Sequence, residues 1–181
     1  MSLSEQATLY MVAAVRMYGD AVLSAAHRPD TDAGVALGQR LMCRVFGARD
    51  PGGQLPKVVQ DVIARFGDGR GAPAELEGYV YEALLDDPDL EAVISQELIT
   101  FYEREIAAGN ARAMAELGDL LRSQEDPAGA RAAYQRAIEA GNAHALIDLA
   151  RLLRGDLGDA EGQDLARALP GDRISVEQQG S

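Results

Sequence analysis

The sequence predicts an all-α protein, an N-terminal helical bundle followed by a short α-α superhelix, and three observations carry that prediction. Apolar residues recur at helical spacing nearly everywhere, and no segment alternates with the period of two that a strand requires. Proline and glycine stand where helices would begin and end. Asp87-Pro88 and Asp126-Pro127 each set a capping carboxylate before a proline suited to a first turn, and Gly47, Gly109 and Gly141 each follow an apolar run. Finally, the C-terminal half repeats itself at a constant offset of 32 residues.

Taken in order, Ser4 can cap a first helix over residues 5–26, whose apolar stripe is Thr8, Met11, Val12, Val15, Tyr18, Gly19 and Val22. Pro29-Asp30-Thr31-Asp32 breaks the chain and supplies the next cap. A second helix over residues 33–46 shows Val35, Leu37, Leu41, Met42 and Val45, and residues 47–53 are dense in turn formers. A third helix over 55–66 carries Val58, Val59, Val62, Ile63 and Phe66. After a glycine-rich loop at 67–71, Pro73 suits the first turn of a fourth helix ending near Leu85. Asp87 then caps a long fifth helix that reaches Ala108 and ends at Gly109.

From there the repeat organises the chain. Tyr102, Arg104, Ile106, Ala108, Gly109, Asn110 and Ala111 match Tyr134, Arg136, Ile138, Ala140, Gly141, Asn142 and Ala143. Leu117, Leu120, Leu121 and Arg122 match Leu149, Leu152, Leu153 and Arg154 at the same offset. Each unit reads as two antiparallel helices. Asn110 caps residues 111–122, Asp126 and Pro127 open a partner ending before Gly141, and Asn142 starts the pair again. A turn at 155–158 and a short helix at 160–168 complete the second unit, and Pro170-Gly171 stops it. The expected division is an N-terminal helical domain at 1–86, a repeat region with its long connecting helix at 87–170, and a polar, disordered tail at 171–181.

At these residues the chain resembles the tetratricopeptide (TPR) and related Sel1-like repeat family. Met114, Leu117, Gly118 and Leu121 fall where that family packs its first helix, and Ala130, Tyr134 and Ala137 where its second helix has small, aromatic and small residues. The physical reason is close helix approach: Gly118 and Ala130 leave room that Tyr134 fills. The second unit offers Leu146, Leu149, Ala150 and Leu153, but Gly162 and Ala166 stand where the first has Ala130 and Tyr134, as in a terminal unit. The Gly-Asn-Ala starts are similar to those of Sel1-like units, and the resemblance covers about residues 97–168. Upstream, Ala83-Leu84-Leu85-Asp86-Asp87-Pro88-Asp89-Leu90, with Gly38-Gln39-Arg40-Leu41-Met42 before it, looks like a helical module of high-GC bacterial proteins; that module implies no activity.

The family binds partners along the concave face formed by its first helices. Carried over by position, that face holds Arg112, Ala115, Asp119 and Arg122, then His144, Ile147, Arg151 and Arg154. Guanidinium groups engage carboxylates in a two-toothed fashion, so the resemblance implies an acidic or carboxylate-bearing protein segment as ligand. The competing reading pairs these arginines with Glu116, Asp119 and Asp148 on neighbouring turns. The Lys and Asn of the family's carboxylate-clamp members are absent, with Ala115 and Asp119 in their places. Two units are few for a continuous core. Tyr102 and Ile106 of the long helix are expected to supply one missing neighbour, and homodimerisation through the N-terminal helices another.

Composition excludes much else. A net charge of −12 argues against nucleic acid and anionic lipid, both repelled at long range. The charge is uneven: residues 68–108 carry 2 basic and 11 acidic groups, mostly in a cluster at 75–91 that reads as a solvated face. Cys43 is alone, so neither an intramolecular disulfide nor a thiolate zinc site can form, and its apolar surroundings suggest a buried structural thiol. His27 has no acid or nucleophile beside it, Asp30-Thr31-Asp32 lacks the other ligands of a calcium loop, and the 67–71 glycines lack the strand and Lys-Ser/Thr of a phosphate loop. No catalytic set, cofactor or metal site is therefore expected. No targeting segment is evident, so a cytoplasmic location is expected; 16 Arg against Lys57 alone suggests a high-GC bacterial source. The leading function is a non-enzymatic adaptor or scaffold. The alternative is an accessory enzyme or small-molecule-binding regulator with a pocket between the N-terminal helices.

Overall fold

The computed structural model describes residues 1–23, 32–47, 57–67 and 71–157, and all regular structure among them is helical. Chain contacts separate two compact units, Met1–Gly109 and Asn110–Ser181. The boundary falls after the long helix, not at 86/87 as expected. That helix, α5 (Pro88–Ala107), packs on α1 (Leu3–Tyr18), α2 (Ala33–Phe46) and α4 (Pro73–Asp86), all in the first unit.

In the first unit α1 is the hub, meeting α2, α3 (Lys57–Gly67), α4 and α5. Its cap is Ser2 rather than Ser4. Glu5 N donates to Ser2 Oγ at 3.1 Å while Ser2 N donates back to Glu5 Oε2, a reciprocal box that satisfies two otherwise unpaired amides. Ser4 is buried within the first turn. The helix also ends earlier than the apolar stripe suggested. At Gly19, with φ of 52°, it gives way to a 3-10 helix over Gly19–Leu23 that still buries Val22. The expected continuation to 26 lies outside the described residues.

Asp32 caps α2 through Gly34 N and Val35 N, as expected. The α1–α2 crossing is close because Gly38 has no side chain: a Cβ there would collide with the Tyr10 carbonyl. Ala7, Met11, Ala14 and Val15 of α1, Leu37, Leu41 and Met42 of α2, Val62 and Ile63 of α3, Leu76 and Val80 of α4, and Ile94 and Leu98 of α5 form the buried set. Each fully buried aliphatic side chain contributes about 1.5–3 kcal/mol. Cys43 corrects the sequence reading, because it is exposed, with its thiol 4.0 Å from the Leu23 carbonyl. Its neighbours Leu41 and Met42 take the buried face, and one residue is a turn of about 100° around a helix.

The second unit is built from α6 (Ala111–Ser123), α7 (Pro127–Glu139) and α8 (His144–Leu157). α7 packs on both α6 and α8. Asn110 caps α6 and Asp126 caps α7, with Pro127 in its first turn. Ala130, Tyr134, Ala137, Ala145, Leu149, Leu152 and Leu153 form its core. Burial repeats at the 32-residue offset: Ala113 with Ala145, Gly118 with Ala150, Leu120 with Leu152. α8 runs through Gly155 to Leu157, so the turn expected to open at 155 does not open there. The final helix at 160–168 and the tail at 171–181 lie outside the described residues.

Candidate functional site

The candidate residues lie on α6 and α8, and α7 packs against both helices. Asn142 ties the second repeat to the start of the first, its Nδ2 donating to the Ala111 carbonyl at 3.5 Å and its Oδ1 accepting from His144 N at 3.1 Å. Three of the candidate arginines are engaged by acids on their own helix. Arg112 Nε lies 2.8 Å from Glu116 Oε1, Arg122 Nη2 3.2 Å from Asp119 Oδ1, and Arg151 Nη1 3.3 Å from Asp148 Oδ1. This is the competing arrangement weighed from sequence, and each pair is worth at most about 1 kcal/mol at such exposure. Arg154 and His144 are exposed, and Arg154 makes no ion pair with the described residues. Ile147, 40% exposed, lies between them on α8.

Asp119 does more than neutralise Arg122. Tyr134 Oη donates to Asp119 Oδ1 at 2.7 Å, so a buried phenol, a half-buried carboxylate and a surface guanidinium form one chain from core to face. Burial, then the hydrogen bond to Asp119 and the Asp119 charge, hold the Tyr134 phenol well above the ordinary tyrosine range, with Arg122 pulling the other way. The Tyr134 ring is positioned by Gly118, whose missing side chain leaves the space the ring occupies. The expectation for Gly118, Ala130 and Tyr134 matches this packing.

Tyr102, the residue aligned with Tyr134, has another environment. It is buried in the first unit, where its Oη donates to Gln6 Oε1 at 2.9 Å and its ring stands 5.7 Å from Phe101. It therefore faces α1, whereas the alignment cast it as a neighbour for the repeats.

A second group of charged residues was not singled out from sequence. Glu97 of α5 accepts from Arg40 Nε at 3.0 Å and Arg44 Nε at 3.2 Å, one guanidinium on each carboxylate oxygen. The available signal was the i, i+4 spacing of Arg40 and Arg44 on a helix whose other face is apolar. Nothing local links them to residue 97. Among the described residues, no three His, Cys, Asp or Glu side chains gather as metal ligands would, and no helix is long and apolar enough to cross a membrane.

Comparison with protein-family models, with curated proteins and with solved structures finds no match to this chain.

Proposed function

We propose that the chain is a non-enzymatic interaction module of the TPR/Sel1-like kind, in which the α6–α8 face seats an acidic segment of a partner protein. The observation that carries this reading is the Tyr134–Asp119–Arg122 chain. A guanidinium anchored through a carboxylate to a buried phenol is ordered before a ligand arrives, which lowers the entropy lost on binding. Arg122 spends one of its five N–H donors on Asp119, leaving the rest for a partner carboxylate. Arg151 and Arg154 extend the basic stripe along α8, and exposed Ile147 offers an apolar contact between charges. The acidic whole, at −12, discourages nucleic acid, while Arg112, Arg122, Arg151 and Arg154 against Glu116, Asp119 and Asp148 leave this stripe one positive charge in excess.

The test is capture of partners on the full chain from an extract of its source cell, read by mass spectrometry, beside Arg122→Ala/Arg151→Ala. The expected result is a protein retained by the parent chain and lost from the double variant, with unchanged melting and with binding weakened by salt. Retention of the same protein by both would overturn the reading. Light scattering on the same material decides whether one copy or two does the binding.

A further inference from the structure

We propose that the first unit carries a separate binding site for a small organic anion, a carboxylate or phosphate ester, in the hollow between α2 and α5. The hollow has a volume of about 190 Å³ and is lined by Arg40, Gln96, Glu97, Thr100, Phe101 and Arg104. The hollow is open to solvent on one side and is of a size for a small acid rather than a peptide. On α5, Glu97, Thr100, Phe101 and Arg104 follow one another at i, i+3, i+4 and i+7, so a single helix face makes one wall.

Two features point to an anion. Arg40 and Arg44 already converge on a carboxylate, that of Glu97, which is 18% exposed; each uses an Nε and keeps its terminal N–H groups. Arg104, two turns further along the same face, makes no ion pair with any described residue. The hollow's own lining thus holds two guanidinium groups, Arg40 and Arg104, against the one carboxylate of Glu97, a surplus of one positive charge, while Arg44 holds the other Glu97 oxygen from outside the lining.

The remaining lining suits the carbon and polar parts of such a ligand. Phe101 is fixed edge-on to Tyr10, with ring centroids 5.1 Å apart, and gives an apolar wall. Thr100 donates to the Gln96 carbonyl at 2.8 Å and accepts from Gln96 Nε2 at 3.4 Å, which leaves the second Gln96 amide hydrogen for an incoming oxygen. An arriving anion meets Arg104 first and then competes with Glu97 for Arg40. Glu97 is therefore a built-in competitor that sets affinity low and holds the arginines in place.

The test titrates the full chain with inorganic phosphate and with succinate, against sodium chloride at matched ionic strength, followed by calorimetry and amide NMR. Saturable binding of at least one probe is expected, with shifts in α2 and α5. Arg104→Ala, at an exposed position, should weaken it about tenfold, the loss of a charge-assisted hydrogen bond. Glu97→Gln should tighten it several-fold by releasing both guanidinium groups, and Arg131→Ala on α7 should leave it unchanged. Saturation by phosphate alone assigns a phosphate ester, by succinate alone a carboxylate. No saturation beyond chloride, or parent-like affinity in Arg104→Ala, overturns the proposal. Neither result bears on the α6–α8 face.

Discussion

The Tyr134 ring rests against the backbone of Gly118: a Cβ at that glycine would stand 2.5 Å from Tyr134 Cε1 and 2.7 Å from Cδ1. Neither side can yield, because the ring is fully buried among Ala130, Ala137 and Leu149. Gly118→Ala should therefore destabilise the second unit, even though alanine favours a helix. Overpacking of this kind costs about 1–3 kcal/mol, and the propensity gain returns at most about 1. Urea denaturation followed by circular dichroism should show a lower midpoint; a raised midpoint would mean that the ring moves freely.

Removing only the phenol oxygen tests the next link. Tyr134→Phe deletes the 2.7 Å bond to Asp119 while keeping the ring, and should cost about 1–2 kcal/mol. It should also change the response to alkali. The folded phenol holds its proton above the ordinary value of 10.0, so below that pH its contribution is complete. Above it the unfolded chain sheds a proton the folded chain keeps, and stability falls as pH rises. Denaturation curves from pH 8 to 11 should converge for parent and Tyr134→Phe at the alkaline end; a constant gap would refute the assignment.

The first unit has its own buried phenol. Tyr102→Phe leaves the Gln6 carbonyl oxygen without its partner, and Gln6 Nε2 already has none among the described residues. The expected cost is about 1–3 kcal/mol. Gln6→Met combined with Tyr102→Phe should recover part of it, since an apolar pair of similar shape leaves no orphaned polar group. A double-mutant cycle in guanidinium measures the coupling, and strict additivity would show that the two groups do not interact.

What was legible in the sequence, and what was not, divides by distance along the chain. Asp87, Asn110 and Asp126 cap the helices they precede because a cap is decided within three residues: Asp87 takes Leu90 N and Asp126 takes Gly129 N. Gly118, Ala130 and Tyr134 were readable as a packing group because the repeat brings a second copy of the pattern. The Arg40–Glu97 and Gln6–Tyr102 pairs span 57 and 96 residues, and no periodicity marks them. The Ser4 expectation rests on residue type alone, by which Ser2 and Ser4 are equal caps. Glu5, three residues after Ser2, was the discriminating signal. The candidate arginines lie on helices that periodicity marks, α6 and α8, but their pairing with Glu116, Asp119 and Asp148 depends on rotamers that spacing alone leaves open.

The turns between repeat helices offer a paired test. After α7, Gly141 adopts φ of 91°, and Asn142 N reaches back to the Ala137 carbonyl at 2.9 Å. After α6, Glu125 adopts φ of 60° in a turn closed by the same kind of hydrogen bond, with Asp126 N reaching the Leu121 carbonyl at 2.9 Å. A left-handed residue other than glycine costs about 1 kcal/mol. Glu125→Gly should raise the unfolding midpoint of the second unit and Gly141→Ala should lower it by a similar amount. Thermal melts showing the same sign for both would contradict this account.

Cys43 is the chain's single thiol, and it stands exposed one helical turn from Arg40 and beside Arg44. That makes α2 addressable by chemistry. A maleimide fluorophore can be attached at one known point without engineering, close to the wall of the α2–α5 hollow. Its emission would report on that hollow while leaving the arginines of α6 and α8 unlabelled. The same exposure lets two chains couple through a disulfide in air, so a covalent dimer must be separated by reductant before any noncovalent one is counted.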